Sequence, residues 1–426
     1  MTGRLSARIA GGSGVVRRHK PDYRIALYMG LLMMLGLIVM YAIGPQRAQV
    51  LNSAYGTDFY TGTYFFGKQA FSLVLALAAF FVVSKIPVGW WKANAKRLFI
   101  LGITASALLA FSALVGLPIA KESYGAFRWF DLGQLGSIQP AEFLKFGLLL
   151  FGAGFISYRA KQGVINDLYK TLIPLAAILG VVAIFVIGIQ EDMGTGLVLL
   201  AMMASMLMVG GVSMRVGAAV LAGLIALGLL MIVIAPHRIA RVTTFLQGDT
   251  ANVDDAGAYH IAHAKIAIGS GGATGVGIGN SVQATGYLPE AINDSVFAIM
   301  GETFGFVGLV LVLLLFGALL LRLLRTADHL NGLHEKLIVT GVFGWLAAHV
   351  VLNVAAMTGI FPLTGITLPL LSFGGTSMVF IAGALGLAFQ LSSYTVHSTV
   401  SEGERYEDSR GRRGLGRPRH AGRSRL

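Results

Sequence analysis

The sequence predicts an all-α polytopic membrane protein with about ten transmembrane helices, cytoplasmic N- and C-termini, and a large outward loop between helices 7 and 8. Three observations support this fold class. Of the 426 residues, 55% are hydrophobic and 12% are charged, a balance that soluble globular chains do not show. The apolar residues are gathered into stretches close to the ~20 residues needed to span a bilayer. The basic residues are concentrated between alternate stretches, and this asymmetry orients membrane proteins.

The predicted spans are apolar stretches separated by polar or basic segments. A helix of about 20 mostly apolar residues is long enough to cross about 30 Å of hydrocarbon. In chain order the ten stretches are Ile25–Ile43, Phe65–Val83, Leu98–Leu117, Ala141–Ile156, Leu172–Ile189, Met193–Val209, Val216–Ala235, Thr303–Leu321, Leu337–Thr358 and Ser377–Leu391.

Lys and Arg residues give the predicted orientation. With a cytoplasmic N-terminus, 25 of the 33 Lys and Arg residues fall in segments predicted to lie inside. The net charge of +13 is then mainly a cytoplasmic anchor on anionic lipid. Nucleic-acid binding is the weaker explanation, because the basic clusters flank helix ends or lie in the tail. The predicted location is the bacterial plasma (inner) membrane, as a multi-pass protein.

The predicted organisation is one membrane domain with two disordered ends. Residues 1–23 are a basic cytoplasmic N-terminus, 24–391 the transmembrane domain and 392–426 an Arg-rich cytoplasmic tail. No cleavable signal peptide is expected, and the first span is expected to act as its own insertion signal. The chain has no cysteine, which excludes disulfides and thiolate metal sites.

Three carboxylates lie next to the eighth predicted span, in YLPEAINDSVFAIMGETFG (Tyr287–Gly305). We expect a helix to begin near Pro289, with Glu290 and Asp294 at the outer interface. A partly desolvated Asp294 suits a general base, and a solvated acidic helix start is the open alternative. Glu302 lies deeper and is expected to satisfy a partner inside the bundle.

The predicted outward loop, Pro236–Asn293, contains the glycine run GSGGATGVGIGN (Gly269–Asn280). Successive amides, such as those of Gly271 and Gly272, can form an anion nest, and a lipid diphosphate is the anion expected outside the cell. As a nucleotide motif the run is weak, because no Lys-Ser/Thr follows it.

The same loop contains His260 and His263, with Asp254 and Asp255 nearby. This spacing allows a metal site. Ordinary exposed loop histidines are the favoured interpretation, because no second HxxH sequence supports a metal.

Polar residues within other spans have structural and functional interpretations. Glu142 and Lys145 share a helical face at the start of the fourth span, and Asp192 precedes the sixth. We expect a structural Lys145–Asp192 ion pair across helices, with direct participation in function as the alternative. His349 and Asn353 share a face of the ninth span, where a helix–helix hydrogen bond is expected.

Six motifs together resemble the SEDS family (shape, elongation, division and sporulation) of bacterial membrane proteins. Their combination is specific and covers most of the membrane domain, although each motif alone is modest. The phrase AMTGIFPLTGITLPLLSFGG and the Arg-rich tail favour the FtsW division branch over the RodA elongation branch. In chain order the motifs are GAFRWFDLG (Gly125–Gly133), IQPAEFLK (Ile138–Lys145), QEDMGTGLVLL (Gln190–Leu200), AIGSGGATGVGIGNS (Ala267–Ser281), YLPEAINDSVFAIMGETFG (Tyr287–Gly305) and GIFPLTGITLPLLSFGGTS (Gly359–Ser377).

The resemblance implies a peptidoglycan glycosyltransferase that polymerises lipid II on the outer leaflet during septal cell-wall synthesis and cell division. It implies an essential aspartate at the position of Asp294, and it matches Glu142, Lys145 and Asp192 to polar motif positions of the family. The implied partners are a class B penicillin-binding protein, which is a transpeptidase, and other divisome proteins. The implied location is the division septum.

Several neighbours of these motif residues depart from the family pattern. Ile292–Ser295 reads INDS where the family usually has HTDF, and Thr303 stands where a glutamate is usual. His260 and His263 stand where glutamines are common, and Ala284 lies near the place of a common basic residue. The aspartate is kept while its surroundings change, which leaves partner activation and cation use open.

The mechanistic hypothesis makes Asp294 the base. It removes the proton of the C4 hydroxyl of an incoming lipid II, which attacks the anomeric carbon of the growing chain as undecaprenyl diphosphate leaves. A bound divalent cation (Mg²⁺ or Mn²⁺) is one way to stabilise that diphosphate. For Lys68, a contact to a lipid phosphate and snorkelling to the interface are the two open interpretations. The candidate residues for binding the lipid diphosphate or a sugar are Lys68, Arg128, Lys265, Gly271, Gly272 and Glu290.

Two other functions stay open. A lipid II flippase would use Glu142, Lys145 and Asp192 as a translocation path, although no inverted repeat is evident. A non-catalytic scaffold would recruit the penicillin-binding protein without polymerising lipid II.

Overall fold

The apolar stretches form long helices in the computed structural model of this protein. The structure describes residues 20–123, 126–131, 133, 136–219, 222–223, 226, 236–247 and 256–395. Most of both predicted disordered ends, most of the seventh predicted span (Val216–Ala235) and the acidic segment Asn252–Asp255 lie outside the described residues.

The helices are numbered α1 to α11 in chain order. Short π-helical turns begin and end α5. The bounds are α1 Tyr23–Tyr55, α2 Tyr64–Lys85, α3 Val88–Val115, α4 Pro140–Lys161, α5 Leu168–Ile189, α6 Met193–Val209, α7 Pro236–Gln247, α8 Ala256–Ser270, α9 Val296–Asp328, α10 Leu333–Met357 and α11 Gly375–Leu391.

Within the described part of the chain, eight helices are long and apolar enough to cross a membrane, namely α1 to α5 and α9 to α11. The helix α6 is also apolar but has only 17 residues. Nine of the ten predicted spans therefore coincide with an apolar helix. The protein is a polytopic helical membrane protein, as the sequence predicts.

Burial separates central helices from peripheral ones. In α4, α10 and α11, 72%, 72% and 67% of the most apolar window is buried inside the protein, against 17% in α2. Without a hydrophobic force between helices in lipid, close packing at small residues holds such bundles together. A Cβ on Gly102 of α3 would lie 2.9 Å from the Cα of Leu144 of α4, so glycine permits this helix contact. Glu142 and Lys145 of α4, and His349 and Asn353 of α10, are buried inside the bundle.

Contacts between helix ends agree with the predicted parity of the spans. Asp22, which caps the start of α1, pairs with Arg322 near the end of α9. Lys92 near the start of α3 pairs with Glu335 near the start of α10 at 2.5 Å. All four residues belong to segments predicted inside, and the structure places each pair at one end of the bundle.

The connection between α3 and α4 is a small antiparallel sheet, which an all-α prediction did not include. Its strands are β1 Ala120–Ser123, β2 Ala126–Asp131 and β3 Ser137–Ile138, in the order β1-β2-β3. Aromatic residues in AFRWFD favour a strand at this place. The sheet leads directly into α4 and contacts the start of α11, where the Thr376 hydroxyl donates to the Ser137 carbonyl at 2.8 Å.

The long outward loop and the eighth predicted span also differ from expectation. The loop contains α7 and α8. The span is broken at Gly305, whose φ of 67° and ψ of −169° are nearly exclusive to glycine. Composition could not predict this break, because glycine is common in transmembrane helices.

Candidate functional site

Asp294 lies in a turn that precedes α9. The helix begins at Val296 with Ser295 as its N-cap, so the prediction of a helix starting near Pro289 is wrong. Glu290 has a φ of 49° and closes the turn, because its carbonyl accepts from the amides of Asn293 at 2.9 Å and Ser295 at 3.2 Å. A residue with a left-handed backbone conformation directly after Pro289 cannot belong to a right-handed helix that begins there.

The main chain around Asp294 is held by two other parts of the bundle. The Asn353 amide of α10 donates to the Asp294 carbonyl at 2.7 Å. The Phe373 amide, in the loop before α11, donates to the Ile292 carbonyl at 2.8 Å. The Asp294 residue itself is 9% exposed. The carboxylate is therefore carried by a buried turn that is fixed from both sides, and the solvated helix start is not what the structure contains.

His260 of α8 contacts the same turn. Its Nε2 lies 2.6 Å from the Ser295 hydroxyl, and that hydroxyl also lies 2.8 Å from the Pro289 carbonyl. A carbonyl only accepts, so the serine proton points to Pro289 and His260 must donate from Nε2. The contact assigns the protonated nitrogen of His260 and connects α8 to the N-cap of α9.

His263, one turn further along α8, makes a different set of contacts. Its Nδ1 lies 2.8 Å from Gln283 Oε1, and its ring packs on Tyr259 at 4.1 Å and Tyr287 at 6.1 Å between ring centroids. No group of three or more His, Asp or Glu side chains that could hold a metal ion occurs among the described residues. Asp254 and Asp255, which the sequence places near these histidines, lie outside the described residues.

Glu302 is buried and anchors the segment that precedes the Asp294 turn. Its carboxylate accepts from the Ser281 hydroxyl at 2.5 Å and the Val282 amide at 2.9 Å. It also accepts from the Gln283 amide at 3.2 and 3.3 Å. This carboxylate thus connects the first half of α9 to residues 281–283 instead of facing lipid.

The glycine run covers the break in α9. The carbonyls of Glu302 and Thr303, which the break leaves without helical partners, accept from the amides of Val276 at 2.9 Å and Gly277 at 3.1 Å. In return the Phe306 amide donates to the Gly272 carbonyl at 2.9 Å. A broken helix at membrane depth needs such replacement partners.

Gly271 is therefore a packing residue in this structure, and the Gly272 amide already has a main-chain acceptor, so neither residue supports the phosphate-cradle interpretation. A Cβ on Gly271 would lie 1.9 Å from the Gly301 carbonyl oxygen, so the run lies directly on the α9 backbone. The Gly272 amide donates to Gly269 and the Gly275 amide to Gly271. Amides used in this way do not converge on an anion.

The buried charges of α4 pair with each other. Lys145 Nζ donates to Glu142 Oε1 at 2.8 Å, and it lies 3.3 Å from His349 Nε2 of α10. Because the ammonium group only donates, His349 accepts at Nε2 and donates from Nδ1 to the Thr367 carbonyl at 3.2 Å. The expected Lys145–Asp192 pair is wrong, since the i,i+3 neighbour on the same helix already provides a carboxylate.

Asp192 caps α6 instead. Its carboxylate accepts from the Thr195 amide and hydroxyl, each at 2.8 Å, and from the Gln139 amide group at 2.9 Å. Gln139 is the N-cap residue of α4. The aspartate therefore joins the starts of α4 and α6, which is a role that a residue preceding a helix commonly has.

The three predicted cationic ligands lie in different surroundings. Arg128 of β2 donates to the carbonyls of Gln190 and Glu191, each at 2.9 Å, and holds the turn before α6. Lys68 is exposed and its Nζ lies 5.1 Å above the Tyr64 ring. Lys265 is exposed on α8 and packs beside Gly359, which follows α10.

Sequence reasoning did not identify Asn353 and Ser295 as parts of this site. Asn353 also donates to the Ile366 carbonyl at 2.7 Å, so both of its contacts are to loops and the expected helix–helix bond is wrong for it. A signal was available, because an amide in an apolar helix has to find partners. His349, in contrast, does contact another helix through Lys145.

The chain matches the FtsW/RodA/SpoVE family model, described as "Cell cycle protein", over residues 23–397. It is 33% identical to stage V sporulation protein E of Bacillus subtilis, over 89% of this chain and 99% of that protein. It is 31% identical to a probable peptidoglycan glycosyltransferase FtsW of Nitrosomonas europaea, over 87% of this chain and 93% of that one. One chain of a structure described as "Structural coordination of polymerization and crosslinking by a peptidoglycan synthase complex" superposes with a TM-score of 0.68 and 27% identity, over 87% of this chain and 97% of that chain. This protein therefore belongs to the FtsW/RodA/SpoVE family, the SEDS family that its motifs resemble.

Proposed function

We propose that this protein is a peptidoglycan glycosyltransferase that polymerises lipid II at the outer leaflet during septal cell-wall synthesis, with Asp294 as the general base. One observation carries the assignment of the base: Asp294 lies in a buried turn whose main chain accepts from Asn353 and whose Ser295 side chain contacts His260. A relative named as a probable peptidoglycan glycosyltransferase supports the reaction class.

The chemistry is a displacement at an anomeric carbon. The C4 hydroxyl oxygen of the incoming lipid II forms a bond to that carbon, and the bond from the carbon to the diphosphate oxygen breaks. The hydroxyl proton passes to the Asp294 carboxylate, and undecaprenyl diphosphate leaves with its electron pair. A correctly placed base contributes about 10²–10⁴-fold to such a rate.

The leaving diphosphate needs a cation as its charge develops. Among the predicted ligands Lys265 fits this role best, because it lies on α8, the helix whose His260 contacts the Asp294 turn. Arg128 instead lies on β2, where it holds the turn before α6, and Lys68 lies on α2. Lys265 therefore contacts the diphosphate in this mechanism.

The proposed partner is a class B penicillin-binding protein that crosslinks the new strand, within a larger divisome at the septum. The fold match to one chain of a peptidoglycan synthase complex supports such a pairing. The name of one similar relative refers to sporulation, and the matching family model is described as "Cell cycle protein"; both support septal action.

A flippase is less favoured by the geometry of the charges it would need. Lys145 and Glu142 pair at 2.8 Å, and their side chains are 0% and 4% exposed. Asp192 is engaged by the start of α6. Charges that line a water-filled translocation path would be exposed to that path.

Polymerisation in detergent tests the proposal, because micelles have no leaflets between which lipid II could be flipped. The purified protein and its transpeptidase partner receive labelled lipid II, and glycan strands are separated on a gel. The matched control is Asp58→Asn, the same change at an exposed aspartate between α1 and α2.

We expect strands from the wild type and from Asp58→Asn, and a loss of about 10²-fold or more from Asp294→Asn. Strands from Asp294→Asn at the wild-type rate would eliminate Asp294 as the base. No strands from the wild type beside an active transpeptidase would favour the flippase or the scaffold.

A further inference from the structure

Asn353 joins two loops of the site at a single nitrogen atom. The residue is 1% exposed, and its Nδ2 donates to the carbonyls of Asp294 and Ile366, each at 2.7 Å. An amide nitrogen carries two hydrogens, so both are used. The turn that carries the proposed base and the loop that follows α10 are therefore tied to one side chain.

The helix that carries Asn353 is itself firmly held. His349 lies four residues earlier on the same face and donates to the carbonyl of Thr367, the neighbour of Ile366. On its other side His349 accepts from Lys145, which pairs with Glu142. Asn353 thus projects from one of the most buried helices of the bundle, and it acts from a rigid element.

The Asn353 bond is made to the main chain of Asp294 and not to its carboxylate. It fixes the carbonyl of the peptide between Asp294 and Ser295. The side chain of the next residue, Ser295, is held separately, because its hydroxyl donates to the Pro289 carbonyl. With that peptide held, the direction in which the Asp294 side chain leaves the backbone is set.

We propose that Asn353 is a positioning residue for glycosyl transfer, which orients Asp294 through its main-chain carbonyl. The inference rests on the proposed role of Asp294 as the base. Misplacing a reacting group by about 1 Å costs about a hundredfold in rate. Loss of the Asn353 bond therefore lowers kcat, while KM for lipid II stays close to the wild-type value.

A purely structural role makes a different prediction. Gln390 of α11 offers the comparison, because it is also buried and its Nε2 donates to the Ile86 carbonyl at 2.7 Å, between α2 and α3. If buried amides only stabilise the bundle, Asn353→Ala and Gln390→Ala both lower the unfolding temperature and both keep kcat per folded molecule.

The experiment measures kcat and KM for lipid II polymerisation with the transpeptidase present, for Asn353→Ala, Asn353→Ser and Gln390→Ala. Folded protein is quantified by size-exclusion chromatography. Hydrogen–deuterium exchange of residues 287–295 reports on the turn even if activity is too low to measure. Asp294→Asn in the same assay tests the base separately.

We expect kcat to fall about a hundredfold in Asn353→Ala and less in Asn353→Ser, whose hydroxyl retains one donor, with faster exchange of residues 287–295 in both. Gln390→Ala is expected to keep the wild-type kcat and the wild-type exchange of residues 287–295. Wild-type kcat or wild-type exchange in folded Asn353→Ala would overturn the inference, even where Asp294→Asn is inactive. Activity in Asp294→Asn would instead contradict the base assignment on which the inference rests.

Discussion

His260 Nε2 lies 2.6 Å from the hydroxyl of Ser295, the residue that follows Asp294 and caps α9. The two residues are 35 positions apart in sequence. The contact therefore connects α8 to the N-cap of α9, directly beside the residue proposed as the base.

This pair predicts coupled effects on catalysis. His260→Ala removes the donor and Ser295→Ala removes the bridge to the Pro289 carbonyl, so each loosens the turn and lowers kcat. Since both act through one contact, the double variant is expected to lose little more than either single variant. The coupling free energy from a double-mutant cycle is expected at about 0.5–3 kcal/mol.

The cycle is measured as kcat for lipid II polymerisation. His263→Ala is the control on the same helix, because its contacts are to Gln283 and two tyrosines and not to Ser295. Strictly additive losses for His260 and Ser295 would show that the contact does not act on the reaction.

The spans were predictable because a helix that crosses the hydrocarbon core has to be apolar along most of its length. Nine of the ten predicted stretches are helical in the described chain. The ion pairs between helix ends join segments that were predicted to lie on the same side of the membrane. The carboxylate roles were harder to predict, because they depend on contacts with distant segments. Glu302, for example, was expected to bind a partner inside the bundle, but the sequence around it does not identify residues 281–283 as that partner.

The errors have a common physical origin. Lys145 could pair with Glu142 or Asp192 on spacing alone, and the rotation of α4 decides between them. The glycine run was open to an anion nest or to close packing, and only the break at Gly305 creates the carbonyls that use its amides. Both outcomes depend on contacts between segments that are distant in the sequence, and the periodicity of the residues does not predict those contacts.

Two glycines of the run with the same φ are expected to differ in their tolerance of a side chain. Gly275 and Gly279 both have a φ of 83°. A Cβ on Gly275 would lie 2.2 Å from the Thr303 carbonyl oxygen, whereas nothing lies within 4 Å of one on Gly279. Gly279→Ala is expected to cost only about 1–2 kcal/mol for the left-handed backbone.

Gly275→Ala adds a backbone clash to that strain and is expected to separate the run from α9. The measurement is the unfolding temperature of each variant in detergent, followed by intrinsic fluorescence. Equal destabilisation by the two substitutions would mean that φ alone matters and that the run does not lie on the broken helix as described.

Glu302 predicts a large loss of stability when its carboxylate is removed. Glu302→Leu leaves the buried Ser281 hydroxyl and the buried Gln283 amide without their acceptor. At about 1–3 kcal/mol for each unsatisfied buried group, the free energy of unfolding is expected to fall by about 2 kcal/mol or more.

Asp328→Leu, at the exposed end of the same helix, is the control and is expected to change the free energy of unfolding by about 0.5 kcal/mol or less. Detergent unfolding curves of the two variants give the comparison. A Glu302→Leu protein as stable as Asp328→Leu would contradict the anchoring role.

The buried pair of α4 predicts that two substitutions are better tolerated than one. Lys145→Met leaves the Glu142 carboxylate buried without its cation, and breaking a buried pair typically costs about 3–5 kcal/mol. Glu142→Gln with Lys145→Met removes both charges and their desolvation cost, so the double variant is expected to recover most of that loss. Unfolding midpoints of the two single variants and the double variant in detergent test this. A double variant no more stable than Lys145→Met would show that the charges contribute beyond their mutual pairing, for instance through the contact of Lys145 with His349 at 3.3 Å.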